Sequence, residues 1–295
     1  MKEKLRLVLK GGLGNQLFQY FAGEELSRFY RRKLIVDVSW FERNIHKNGL
    51  LDKRNYLLGQ YKFGKTLQIT SEFSWKNSPK MERIIRKLPK HVGNFAGFYE
   101  EMSKDEKDYL LRDEITTFGH WVMTPILPKK EILKKKLVEG IANPSHGYMS
   151  LRESLLKKKV IAIHHRLGDY KNFGHYYGVI DENYFSNAIK RIEEIAKFKN
   201  HEVWLFSDEP KLSSSLLSKR FEISKVISDR YEINESETIA LISQAAGIVC
   251  SNSTFSWWAA FLSDEATSSI VFPKYYMNDI LTRNTGLYVR DWNYL

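Results

Sequence analysis

Short apolar runs that stop abruptly at polar clusters, with helical stretches between them, constrain this chain more than any other feature. From Val160 onward the spacing predicts a strand over 160–164, a helix over 182–198, a strand over 202–207 and a helix over 236–246. A strand over 247–251, a helix over 254–263 and a strand over 269–272 complete the series at Pro273. Strands alternating with helices make a parallel sheet covered on both faces. The amino terminus follows the same plan. A strand over 5–10 leads into Gly11-Gly12-Leu13-Gly14-Asn15-Gln16, then a helical run from Leu17 to about Tyr30 and a strand over 33–38 closing near Asp37. At 295 residues the chain exceeds one ordinary domain. The expected class is therefore α/β, with two Rossmann-like domains facing across a cleft. Asn143-Pro144-Ser145-His146-Gly147 has the composition of a boundary. It predicts an amino-terminal domain over 1–145, a second over 150–275, and a segment over 276–295 that packs back on the first. Residues 48–140 are irregular, basic and aromatic, and give no assignment.

Composition narrows the function classes. The single cysteine, Cys250, permits no disulfide framework or cysteine-based metal site and suits a reducing cytosol. No apolar run approaches the ~20 residues that span a bilayer, so a cytoplasmic protein is expected. The formal charge of +11 calls for an acidic counterpart. No nucleic-acid-binding signature accompanies the lysine runs at 129–130, 134–136 and 157–159, so a phosphorylated small molecule fits better than nucleic acid. Peripheral attachment to an anionic membrane is a further expectation.

Three polar clusters follow strands, where ligands of open α/β sheets bind. In the first, His164, His165, Arg166, Gly168 and Asp169 end the strand over 160–164. A guanidinium there can hold two phosphate oxygens at once, although Arg166 and Asp169 could equally form a local ion pair. In the second, Ser251-Asn252-Ser253-Thr254 opens a helix, and hydroxyls with amides at a helix start favour an anion. The paired Trp257 and Trp258 read as core packing. In the third, Asp208 and Glu209 end a strand, where a carboxylate can accept bonds from ribose or guanine, or cap the next helix.

The glycine segment at 11–16 lacks the Gly-Lys-Ser/Thr of a P-loop and has Leu17 where a dinucleotide loop needs its third glycine. It reads as a tight turn that admits a ligand, or as one capped by Asn15. There is no Asp-x-Asp and no common metal-ligand spacing. A nucleotide diphosphate would then be met by Arg166, a helix amino terminus and a lysine.

Together, four blocks resemble the bacterial α-1,2-fucosyltransferase family. They are Gly-Gly-Leu-Gly-Asn-Gln-Leu-Phe-Gln-Tyr from residue 11, His-x-Arg-x-Gly-Asp-Tyr at 164–170, Phe-Ser-Asp-Glu at 206–209, and Ser-Asn-Ser-Thr-Phe-Ser-Trp-Trp-Ala-Ala at 251–260. The resemblance implies a GT-B-type enzyme that uses GDP-β-L-fucose as co-substrate, needs no metal, and transfers L-fucose with inversion to the 2-hydroxyl of a terminal galactose. It also implies a bacterial surface-polysaccharide role, such as O-antigen biosynthesis, on a lipid-linked oligosaccharide acceptor. By resemblance Arg166 holds the diphosphate with His164 beside it, Asp208 recognises guanosine, and Ser251, Asn252, Ser253 and Thr254 contact phosphate. Gly12, Gly14 and Asn15 then lie near the transferred sugar. Leu167 departs from the pattern, because many members carry a second arginine there. The acceptor hydroxyl needs a base, for which Asp37, Asp169 and His164 are candidates, Asp37 foremost because it lies in the domain expected to hold the acceptor. The other classes to exclude are a non-catalytic nucleotide- or glycan-binding protein, and a basic nucleic-acid binder with strongly salt-dependent affinity.

Overall fold

In the computed structural model each of these alternations becomes a strand or helix within a few residues of its expected place. The structure describes residues 3–42, 54–72, 98–100, 113–119, 121–122, 126–168, 180–198, 200–264 and 269–295. The chain divides into two units: residues 1–46, 53–59 and 63–129 form the first, and residues 47–52, 60–62 and 130–295 the second.

The first unit is built on β1 (Lys4–Val8), α1 (Leu13–Phe29), β2 (Lys33–Asp37), α2 (Ser39–Glu42), β3 (Ile69–Thr70), β4 (Phe98–Glu100) and β5 (Glu114–Phe118). All five strands are parallel, in the order β3-β2-β1-β5-β4. Leu5, Leu7 and Leu9 are fully buried, as the central position of β1 requires. Helix α1 lies close on that strand: a Cβ at Gly23 would fall 2.6 Å from a Leu7 methyl, so a larger residue would force the buried Leu7 side chain to shift. Strands β3, β4 and β5 all come from the stretch that sequence left unassigned.

The second unit comprises α3 (Lys130–Leu137), α4 (His146–Leu156), β6 (Val160–His165), α5 (Glu182–Ala196), β7 (Glu202–Ser207), α6 (Pro210–Leu217), β8 (Lys225–Ile227), α7 (Glu235–Ser243), β9 (Gly247–Val249), α8 (Thr254–Phe261) and β10 (Ile270–Phe272). A hairpin of β11 (Tyr275–Met277) and β12 (Ile280–Leu281), then β13 (Asn293–Tyr294), complete it. Its parallel sheet runs β13-β10-β9-β6-β7-β8. Every residue of β6 is buried, which explains its continuous apolar run. Ile161, Ile163, Val203, Leu205 and Val249 pack against Phe185, Ile189 and Ile192 of α5 in one core. Trp257 and Trp258 are buried as read from sequence, Trp257 donating its indole N–H to the Leu287 carbonyl at 2.8 Å. Among the described residues no helix is long and apolar enough to cross a membrane.

Two expectations about organisation differ from the structure. The segment 143–147 lies inside the second unit, as the end of the loop between α3 and α4 and the first residues of α4. Its polar composition has a capping role. Ser145 caps α4 by accepting from the Tyr148 N–H at 3.0 Å, and its own amide and hydroxyl donate to Glu237, 2.5 and 3.1 Å away. Glu237 is fully buried and closes the capping box of α7 with Asn234. One carboxylate thus ties together the starts of two helices. Ser145→Ala should cost about 1–2 kcal/mol, from a lost cap and the loss of one of two donors to a Glu237 oxygen that keeps the Asn234 N–H. A urea midpoint unchanged in the variant would refute this role.

The other difference concerns residues 276–295, which belong to the second unit. There β13 adds a sixth strand beside β10, and Trp292 packs within 5.6 Å of Phe272 and 6.0 Å of Trp257. Aromatic burial holds the segment there.

Candidate active site

The carboxyl ends of β6, β7 and β9 converge on one polar cluster in the second unit. Parallel pairing sets His165 opposite Ser207, so the residues just beyond, Arg166 and Asp208, emerge side by side. One Asp208 oxygen lies 2.7 Å from Arg166 Nη1, and the other accepts the Leu167 N–H at 2.9 Å. The guanidinium and carboxylate are 17% and 22% exposed, so the pair is shielded yet open to a ligand. Ser251, just past β9, braces the same turn. Its hydroxyl accepts from the Arg166 N–H at 2.9 Å and donates to the His164 carbonyl at 2.7 Å.

The two histidines face inward. His164 Nδ1 lies 2.5 Å from the Ser256 hydroxyl, and its ring stacks on Phe255 with centroids 4.9 Å apart. His165 Nδ1 lies 2.7 Å from Ser213 Oγ, against Phe185. Burial lowers the pKa of His164 to about 3, with help from the Arg166 charge and His165. Burial likewise lowers His165 to about 4, against the opposing pull of Asp208 and Glu182. Both are neutral at physiological pH, so the positive charge at the turn is that of Arg166.

Helix α8 begins beside this turn. Ser253 is its cap, its hydroxyl accepting from the Phe255 N–H at 3.2 Å, and Ser253 N donates to the Ser251 carbonyl at 2.8 Å. Asn252 donates its side-chain amide to the Tyr276 carbonyl at 3.2 Å. The hydroxyls of Ser251 and Ser253 are thus engaged in holding the loop. The positive end of α8 starts at Thr254, next in the chain.

In the first unit Gly11 adopts φ +81°, and a Cβ placed there would fall 2.7 Å from Asn15 Nδ2, so the Asn15 amide folds over the turn. Gly12 precedes α1 without a side-chain cap, and Gly14 and Asn15 lie in the first helical turn. The helix starts four residues earlier than the sequence pattern suggested, because glycines mask the amphipathic period. Gln16 is fully buried. Its amide donates to the carbonyls of Gly11 at 3.0 Å and Asn55 at 2.8 Å, and accepts from the Leu57 N–H at 2.9 Å. Gln19 grips the main chain of Lys10 with both ends of its amide. These two glutamines hold the glycine turn against strand and loop. Sequence shows them only as two more amides of a motif.

Asp37, the foremost base candidate from the sequence, sits in a closed environment. It is fully buried, accepts the Ser39 N–H at 2.9 Å, and lies 3.4 Å from Arg6 Nη1, which itself reaches Glu114 through Nε at 3.0 Å. Asp208 likewise serves Arg166 and the Leu167 amide with both oxygens, where sequence offered it to guanosine. Leu167 is buried, so an arginine at this position would have to displace a packed side chain. Asp169 lies outside the described residues. Ser256, Ser213 and Phe255, which fix the two histidines, were not singled out in the sequence. Their roles come from the packing of helices α6 and α8 against the end of β6, between residues 48 or more positions apart. Among the described residues no group of three or more His, Cys, Asp or Glu side chains is arranged to hold a metal.

Residues 99–295 match the model of the family described as glycosyl transferase family 11. The chain is 27% identical over 301 residues to the O-antigen biosynthesis glycosyltransferase WbnK of Escherichia coli, covering 90% of this chain and 92% of that protein. It is 25% identical over 265 residues to an alpha-1,2-colitosyltransferase of Escherichia coli, covering 87% and 86%. The crystal structure of NodZ alpha-1,6-fucosyltransferase soaked with GDP-fucose matches with a TM-score of 0.50 over 89% of this chain and 93% of that one, at 12% identity. The two-unit, parallel-sheet α/β architecture is of the GT-B class found in such fucosyltransferases.

Proposed function

Because the chain belongs to glycosyl transferase family 11, a family of glycosyltransferases, we propose that it transfers L-fucose from GDP-β-L-fucose to the 2-hydroxyl of a terminal galactose. The transfer inverts the anomeric carbon, needs no metal, and serves bacterial surface-polysaccharide synthesis on an oligosaccharide acceptor that is lipid-linked. The O-antigen role of one relative supports this setting. The observation that carries the reading is Arg166, held by Asp208 and the Ser251 brace at the carboxyl edge of the sheet.

The acceptor oxygen attacks the anomeric carbon as the bond to the GDP oxygen breaks, through an oxocarbenium-like transition state. Negative charge grows on the departing diphosphate. A guanidinium fixed in advance, with the positive end of α8, stabilises that charge without reorganisation. Asp208 fixes the plane of the guanidinium with one oxygen and holds the Leu167 amide with the other. A proton must also leave the acceptor hydroxyl. Asp37 is tied to Arg6 and Ser39, and His164 is stacked and buried, so Asp169 is the base to test first.

Asp37→Asn should keep turnover within about threefold of wild type while lowering stability by about 1–2 kcal/mol through the weakened pairing with Arg6. A hundredfold loss of turnover in a folded variant would restore Asp37 as the base.

The decisive experiment follows GDP release from GDP-fucose with lactose, with and without EDTA, and determines the product linkage by NMR. Acceptor-dependent release, indifferent to EDTA and yielding an α-1,2 linkage, is expected. GDP binding without transfer to any of a panel of galactose-terminated glycans would favour a non-catalytic nucleotide-binding protein. Colitose is the alternative transferred sugar, since one relative carries that name; a donor comparison decides between them.

A further inference from the structure

Four of the ten well-exposed large apolar or aromatic side chains among the described residues fall after residue 274: Tyr275, Ile280, Tyr288 and Leu295. Exposed apolar residues scattered singly need no explanation, but a concentration beside a binding site does. This group is at the carboxyl edge of the second sheet. The β11–β12 hairpin follows the end of β10 directly, and β13 runs parallel to β10, so Leu295 shares that edge.

The hairpin is pinned to the site loop. Asn252, 3% exposed and inside the Ser-Asn-Ser-Thr segment, donates to the Tyr276 carbonyl. Buried Thr282 closes its base, with its hydroxyl donating to the Pro273 carbonyl at 2.6 Å and its amide to Lys274 O at 2.8 Å. Asp279, at φ 62°, makes the reversal between the strands. Tyr288 stacks on Tyr294 at 5.2 Å, which occupies one of its faces. Tyr275 is 51% exposed, and among the described residues only the Lys274 ammonium, 5.8 Å from its centroid, stands over the ring.

We propose that this hairpin is a platform for the acceptor glycan, on which the Tyr275 ring stacks against the apolar face of the sugar next to the reacting galactose. A saccharide ring presents C–H groups on one face and hydroxyls at its rim. A half-exposed tyrosine matches that with a flat apolar face and a polar edge. Tyr275 would then set preference for the second sugar without touching the reacting atoms. This rests on the proposed transfer to a galactose-terminated glycan.

The test compares kcat/KM for methyl β-galactoside with that for two galactosyl disaccharides, lactose and Galβ1-3GalNAc, in wild type, Tyr275→Ala and Tyr275→Phe. Tyr275→Ala should raise KM for at least one disaccharide roughly five- to tenfold. It should leave kcat, the KM for GDP-fucose and turnover of the monosaccharide unchanged, and Tyr275→Phe should restore the wild-type ratio. An unaltered ratio for both disaccharides overturns the platform. If Tyr275→Ala instead abolishes cosedimentation with phosphatidylglycerol vesicles while the ratio holds, the surface is a membrane contact and the proposal falls. If wild type transfers to none of these, saturation-transfer NMR of lactose separates the two ideas. Lactose binding that Tyr275→Ala removes keeps the platform while the transfer reading fails; binding that is absent or unaffected ends both.

Discussion

Arg166→Ala is expected to lower kcat at least about a hundredfold and to weaken GDP binding, while leaving the folded second unit intact. One preorganised donor facing developing charge is worth about 10²–10³ in rate, and Arg166 brings a full positive charge as well. The neighbouring histidines cannot replace it, being neutral and turned into the core. Stability should fall by only about 1–2 kcal/mol, because Asp208 keeps the Leu167 N–H and its remaining oxygen stays within reach of water. Arg166→Lys separates charge from geometry. It keeps the cation but loses the planar fork, so GDP affinity should recover more than turnover. Asp208→Asn should fall between, near a tenfold loss, since the amide still accepts one bond but no longer holds the guanidinium as an ion. Single-turnover kinetics beside GDP titrations would show these differences. Turnover of Arg166→Ala within threefold of wild type would remove Arg166 from the mechanism.

Mild acid is expected to destabilise the second unit well before the carboxylates titrate. His164 and His165 have pKa values of about 3 and about 4 in the folded chain, against an ordinary value near 6.5 once unfolded. Below pH ~6.5 the unfolded chain therefore binds protons that the folded chain refuses. Stability is fully present above that value and declines as pH falls toward the folded values. At pH 5 the loss is about 2 kcal/mol for each histidine, a large part of the 5–15 kcal/mol typical of a domain. Urea midpoints measured from pH 7.5 to 5 should fall steadily, and His165→Asn should flatten the curve by about half. A midpoint constant across that range would mean that the rings are solvated rather than desolvated.

What could be read in advance follows from local chemistry. Strand β6 and the blocks around Arg166 and Ser251 were legible because a buried central strand is continuously apolar and its polar end is abrupt. The two-unit α/β class was legible for the same reason. Strands β3, β4 and β5 were not, because they are short and β5 carries Thr116 and Thr117, which are buried but read as polar. The partnership of Asp208 with Arg166 depends on β6 lying next to β7, which no local pattern reveals. The partners of Asp37 were hidden for a related reason: a strand-end carboxylate looks the same in sequence whether it meets substrate or Arg6. The capping role of Ser145 also required its partner, Glu237, 92 positions away.

The strand order of the first unit has a consequence for synthesis of the chain. β1 lies between β2 and β5, with Leu5 beside both Leu34 and Ile115. On the ribosome, β2 emerges almost at once, but β5 follows only after some 77 further residues, from Asp37 to Glu114. At about 5–20 residues per second, one edge of the central strand of the unit waits roughly 4–15 s for its neighbour. An open strand edge of that kind is a template for pairing with another nascent chain. Slow elongation through residues 38–113 should therefore favour inclusion bodies, and chaperone supply during that interval should govern the yield of native protein.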